Sequence, residues 1–214
     1  MPCWQYLDIN MQAYVPLQWA EDLSQMLQLS HDRLDYFDQP VHLVGFSMGA
    51  YIAALTALQA PAKVASLTLI GNNAQALPEA ELAQRKLLLA AIAQGKFSGL
   101  SDKQIGLLFH PAHQQQADYI AQIRAMEQDL GMATFAHQVK ATSERQNLLS
   151  QLALCPFPIH FVTGAADHLA TAEQLRQAQH KLKGSSLKLF DDAGHMLPLE
   201  QPQGLAEHLA RLLK

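Results

Sequence analysis

Ser47 stands between two glycines in Gly45-Phe46-Ser47-Met48-Gly49, where the apolar run VHLVGF gives way to the alanine-rich MGAYIAALTALQ. Such a break makes little sense as packing. It suits a serine held on a tight strand-to-helix corner with its hydroxyl exposed. A serine hydroxyl is a weak nucleophile until a base takes its proton, and the base works best when a third group orients it. The remaining residues can be searched for both.

The chain has ten histidines. His42 and His160 sit inside strand patterns, which predicts packed, hydrogen-bonded core residues. His31, His137, His180 and His208 lie in helical stretches and read as solvated. His110 and His113 form HPAH, with metal-ligand spacing, but no cysteine or carboxylate stands close enough in sequence to complete a site. His195 differs. In DDAGHMLPLEQP it follows a strand pattern, after a glycine and before a proline-bearing turn. That places it at the carboxyl edge of a parallel sheet, where ligands bind and where Ser47 also falls. The orienting acid should share that edge, and VTGAADHLA presents Asp167 there. Asp191 and Asp192 are rivals, but from so close before His195 the loop would have to fold back sharply. His168, next to Asp167, would point elsewhere.

Five strand-like runs can position these groups: WQYLDI from Trp4, VHLVGF from Val41, SLTLIG from Ser66, PIHFVTGA from Pro158 and LKLFDDA from Leu187. Most are apolar on both faces, as strands between two helical layers are. Helical patterns separate them, beginning with PLQWAEDLSQMLQLSHDRLDYF and ending with PQGLAEHLARLLK. In the helix after Ser47, Ala53, Ala54 and Ala57 would allow close approach to the sheet. Alternating strands and helices predict an α/β fold with a mostly parallel sheet. From Ala74 to Gln151 there is no strand pattern, only helical ones such as ELAQRKLLLAAIAQ and QADYIAQIRAMEQDL. One crossover needs one helix, so this stretch reads as an inserted helical cap on a core of residues 1–73 and 152–214.

Composition excludes several classes. The 214 residues are 49% hydrophobic, enough for a sizeable core, and the net charge of −4 with scattered basic residues gives no nucleic-acid or anionic-membrane footprint. Two cysteines are too few for a disulfide framework. With no secretory signal pattern and no apolar run long enough to span a bilayer, the expectation is a soluble, cytoplasmic protein.

GFSMGAYIAA resembles the nucleophile elbow of the α/β-hydrolase superfamily, VTGAADHLAT its acid loop, and AGHMLPLEQPQGLAEHLARLL its histidine loop and final helix. The similarity runs from Val41 to Lys214, with the helical stretch where that family carries its cap. The resemblance implies Ser47 as nucleophile, His195 as base, Asp167 as its partner and the Met48 backbone N–H as one arm of an oxyanion hole. It implies no metal and no organic cofactor, and a small-molecule acyl substrate. Serine rather than aspartate at the elbow argues against the dehalogenase and epoxide-hydrolase branches. GNNAQAL, after the strand from Ser66, offers asparagines but no carboxylate, leaving an alternative acid position empty.

The amino end departs from the family pattern. Family members carry further strands upstream and an HG-type loop supplying the second oxyanion N–H, and no His-Gly precedes Ser47 here. Either WQYLDI occupies the missing central position, so that the loop after Ile9 lends an N–H from Asn10 or Met11, or an upstream segment is lacking. Unpaired strand edges would then invite self-association. The leading expectation is a serine hydrolase acting on a carboxylic ester or related acyl bond through an acyl-enzyme. The alternatives are a lyase or acyltransferase working on a carbon–carbon or thioester bond, and a non-catalytic binding protein on a hydrolase scaffold.

Overall fold

The structure is a computed structural model and describes residues 5–7 and 12–214. Four strands, β1 (Val41–Phe46), β2 (Val64–Ile70), β3 (Ile159–Gly164) and β4 (Ser186–Phe190), form a wholly parallel sheet in that order. A parallel sheet whose neighbours follow chain order places its right-handed crossovers on one face. That face carries α1 (Leu23–Leu34), α2 (Met48–Gln59), α6 (Leu149–Leu152) and α7 (Ala172–Lys181), packed around Leu67, Leu69 and Phe161. The opposite face packs Ile70 and Val162 beneath α8 (Leu197–Glu200) and α9 (Pro202–Leu212). Alternate residues of each strand thus serve opposite cores, which explains the two-sided apolar runs. Three alanines let α2 lie close on the sheet. They are Ala50, Ala54 and Ala57, all fully buried, whereas Ala53 is only partly so.

Between β2 and β3 the chain forms α3 (Glu79–Ala93), α4 (Asp102–Gly106) and α5 (Ala117–Ala141), with no strand among them. Gly131, at φ 74° and ψ 164°, breaks the α5 axis. No residue of α3 is buried, and in α5 only Ile123 is. α3 and α5 therefore rest lightly on their neighbours, while α4 buries Ile105 and Gly106. Among the described residues no helix is long and apolar enough to cross a membrane.

The strand expected at WQYLDI is not seen where the chain is described. Gln5 and Tyr6 form a 3₁₀ turn and are exposed, and Leu7 alone is buried, against Ile70, Val162 and the α9 side chains. Among these three residues the apolar character is met by one docked leucine rather than by a strand. Trp4 and Asp8–Met11 lie outside the described residues.

The strand histidines are hydrogen-bonded but less enclosed than their pattern suggests. His42 Nδ1 and His160 Nδ1 each lie 2.7 Å from a cross-strand serine, Ser66 Oγ and Ser186 Oγ respectively. Burial, and then the charge of His42, hold His160 below the ordinary histidine range. Burial, Arg211, Lys188 and His160 do the same to His208. Depressed folded-state values mean that the unfolded chain binds protons first as pH falls through about 6.5, so these groups withdraw stability on acidification. The melting temperature is expected to fall between about pH 7.5 and about pH 5.5, and less steeply in His160→Gln. Parallel melting curves for the two proteins across that range would contradict the assignment.

Candidate active site

The elbow is built by close backbone approach. Ser47 sits at φ 51° and ψ −114°, and among the described non-glycine residues only Ala74 shares its positive φ. Such a conformation persists only where the surroundings impose it. The Ser47 N–H donates to Ile70 O at 2.8 Å, and its carbonyl accepts from Ala50 N–H at 3.1 Å and from the Asn72 side-chain amide at 3.0 Å. Asn72 is itself fixed, its Oδ1 accepting from Ala74 N–H at 2.8 Å. The Met48 N–H opens α2 and has no backbone partner among the described residues, as is usual in a first helical turn.

The two glycines of the motif are not equivalent. A Cβ on Gly45 would lie 2.4 Å from Gly49 O and 2.5 Å from Ala50 Cα, whereas one on Gly49 would meet only Leu17 Cδ1, at 3.9 Å. Gly45 is what admits the first turn of α2 against β1.

His195 and Asp167 arrive from the ends of β4 and β3. His195 Nε2 is 2.9 Å from Ser47 Oγ, and His195 Nδ1 is 2.9 Å from Asp167 Oδ2. With the carboxylate ionised, Nδ1–H donates to Asp167 and Nε2 accepts the serine proton. Both His195 and Asp167 are buried. Asp167 Oδ2 also accepts from the Thr163 hydroxyl at 2.7 Å, and Oδ1 from the N–H groups of Leu169 and Ala170 at 2.8 and 2.9 Å. Burial would raise the Asp167 carboxyl. Its hydrogen bond to His195, the charge there, and the Ala170 and Thr163 donors together outweigh burial and hold it below the usual carboxylate range.

Packing completes the arrangement. The Phe46 and His195 ring centroids are 5.2 Å apart. Gly71, at φ 61°, lies under the imidazole, and a Cβ there would stand 3.1 Å from His195 Cε1. A Cβ on Gly164 would lie 2.2 Å from Ala193 O, so the histidine loop rests directly on the end of β3.

The structure thus brings Ser47, His195 and Asp167 into one hydrogen-bonded row. Asp191, Asp192 and His168 are exposed and apart from it. His113 of the HPAH motif bonds Glu200, and the described residues contain no cluster of three or more His, Cys, Asp or Glu fit for a metal ion. Asn10 and Met11 lie outside the described residues. Asn72, Thr163, Gly71 and Glu200 were not singled out from sequence. Asn72 lay in the segment noted for lacking a carboxylate, and Glu200 was visible as a lone charge in the apolar MLPLEQP.

Residues 20–202 match the sequence profile of the alpha/beta hydrolase fold family. The chain belongs to that family. Among curated relatives, this α/β-hydrolase is 24% identical over 216 aligned positions to a 2-succinyl-6-hydroxy-2,4-cyclohexadiene-1-carboxylate synthase from Salmonella arizonae, covering 94% of this chain and 79% of that one. It is 28% identical over 172 positions to the monoglyceride lipase of Homo sapiens, covering 79% of this chain and 55% of the lipase. A thermophilic esterase from Thermogutta terrifontis superposes with a TM-score of 0.81 at 19% identity, over 90% of this chain and 72% of that one.

The asymmetry of the α/β-hydrolase elbow can be measured. Gly45→Ala is expected to destabilise by about 1–3 kcal/mol or more through overpacking against backbone. Gly49→Ala should be neutral or stabilising by up to ~1 kcal/mol, since alanine is the better helix former. Chemical denaturation of both variants would show it, and equal losses would refute this account of Gly45.

Proposed function

We propose that this α/β-hydrolase cleaves a carboxylic ester or related acyl bond through an acyl-enzyme, with Ser47 as nucleophile, His195 as general base and acid, and Asp167 as the group that orients the imidazole. The supporting observation is the pair of 2.9 Å contacts linking Ser47 Oγ, His195 and Asp167. Ser47 Oγ attacks the acyl carbon as its proton passes to His195 Nε2. The resulting oxyanion accepts a hydrogen bond from the Met48 N–H, and collapse expels the leaving group with the proton from Nε2. Water then attacks the acyl carbon as it gives a proton to the same nitrogen, and collapse releases the acid as Nε2 returns that proton to Ser47 Oγ. Asp167, ionised throughout, stabilises the imidazolium that forms in each half.

In this reading residues 74–151 are a substrate-covering cap. Phe109 and Ile123 from that segment cluster with Met196 and Phe46, which are the direct sequence neighbours of His195 and Ser47. An apolar cluster beside both residues suits an apolar acyl group. The esterase and lipase among the similar proteins point the same way. A second oxyanion donor from Asn10 or Met11 is part of the proposal; one such donor is worth roughly 10²–10³ in turnover.

A second reading, a lyase or acyltransferase using the same three residues, is supported by the likeness to a synthase over nearly the whole chain. A purely binding role accounts less well for Ser47, because a strained backbone at φ 51° is a cost that marks functional sites.

Intact mass after exposure to a fluorophosphonate tests the common core of both enzymatic readings. One adduct is expected on the wild type and none on Ser47→Ala, with Asp167→Asn labelled about 10⁴-fold more slowly. Absence of any adduct on folded wild-type protein would overturn the proposal. An ester and thioester panel then separates hydrolase from acyltransferase.

A further inference from the structure

Among the described residues, two carboxylates are buried, Asp167 and Glu200, and both bond to the loop that carries His195. Asp167 belongs to the row already described. Glu200 does not reach Ser47 or His195. Its side chain is wholly enclosed and shared between two parts of the chain. Oε2 accepts from the Gly194 N–H at 2.7 Å, while Oε1 accepts from the His110 N–H at 2.7 Å and from His113 Nδ1–H at 2.9 Å.

Other contacts repeat the pattern. Met196 N–H donates to Leu108 O at 3.0 Å, so residues on both sides of His195 are tied to residues 108–110. Gly194 lies so close to that segment that a Cβ would stand 2.5 Å from Phe109 C and 2.7 Å from His110 N. Phe109 stacks on Tyr119 of α5 at 5.0 Å between centroids. The Tyr119 phenol is pushed up by burial and then by the Glu200 charge.

We propose that Glu200 is a positioning residue for His195: its carboxylate straps the loop bearing the imidazole to residues 108–113 of the inserted helical segment. This rests on the reading of His195 as the base. The strap holds the residue before His195, and the Met196 N–H bond to Leu108 O holds the residue after it, so the placement of the base depends on the seating of residues 108–113. A carboxylate suits the task because both oxygens face donors. A glutamine keeps the shape but turns an NH₂ toward one backbone N–H, and that arm of the strap opens.

The test compares wild type, Glu200→Gln and His113→Ala by rate of fluorophosphonate labelling at Ser47, melting temperature, and the downfield NMR signal of the His195 Nδ1 proton. Glu200→Gln is expected to fold, to label roughly 10–100-fold more slowly, and to shift or broaden the Nδ1 proton signal, as misplacing a catalytic group by about 1 Å would. His113→Ala, which removes a partly exposed donor and leaves the backbone donors in place, is expected to move both readouts the same way by a smaller factor. If Glu200→Gln fails to fold, His113→Ala decides. Unchanged labelling and an unchanged Nδ1 signal, with only the melting temperature lowered, would make Glu200 a structural residue and overturn the inference. If the wild type itself fails to label, the reading of His195 as a base fails separately, and the Nδ1 signal in the variants still reports whether Glu200 positions the ring.

Discussion

The site depends on how far the parallel ladder extends past the ends of its strands. Ser47 N–H bonds Ile70 O at 2.8 Å, Gly71 N–H bonds Val162 O at 2.8 Å, and Ala165 N–H bonds Phe190 O at 2.8 Å. Each bond continues a strand pair by one residue into a loop. The loops carrying the serine, the space beneath the imidazole and the acid are therefore anchored in the register of the sheet. This is how Ser47 can be held at φ 51°, a conformation that costs about 1–3 kcal/mol in a non-glycine residue. The ladder grips its N–H, while Asn72 and the first turn of α2 grip its carbonyl. A slip of one residue between β1 and β2 would move every side chain of β1 to the other face and take the elbow with it.

Much of this could be read from the chain because its cause was local. The corner at Ser47 showed as a glycine on each side of it, a strand run before and small residues after. The strands from Val41, Pro158 and Leu187 appeared within a residue or two of their observed starts, because each is a short apolar run bounded by turn residues. Asp167 and His195 were legible as polar residues directly after such runs. What escaped was decided by approach between distant segments. Gly71 and Gly194 look like ordinary loop glycines until His195 and Phe109 are brought against them. Asn72 and Thr163 are short polar residues of a kind found in any turn or strand. The two glycines of the elbow looked alike, and only the packing of α2 on β1 shows that one admits no side chain and the other does. Of WQYLDI, Gln5–Leu7 misled because apolar character measures burial, and a docked Leu7 supplies it without a strand.

The inserted helices obey a different balance from the core. Fully burying one large apolar side chain contributes about 1.5–3 kcal/mol, and α2 alone buries Tyr51 and Ile52 almost completely. By contrast the residues of α3 are at most partly buried, and in α5 only Ile123 is buried. Between residues 79 and 141 the buried apolar side chains are Ile105, Phe109 and Ile123, which cluster with Met196. Segments held by few buried contacts open at lower cost than the core beneath them.

The loops at the carboxyl edge raise a problem that neither sheet nor helix solves. Their N–H groups have left the ladder, and several are buried, where an unpaired donor is costly. Leu169 and Ala170 turn toward Asp167, and Gly194 and His110 turn toward Glu200. A carboxylate has two oxygens and about four acceptor positions, so one buried charge can gather donors from irregular segments that could not pair with each other. The donors in turn keep that charge from being an isolated one, which would be far more costly to bury. Asp167 adds His195 to its set and Glu200 adds His113. The same device that satisfies the loop backbone therefore also bonds the His195 ring at Nδ1 and ties its loop to residues 110–113, so local order at this edge and the arrangement of these side chains have one physical origin.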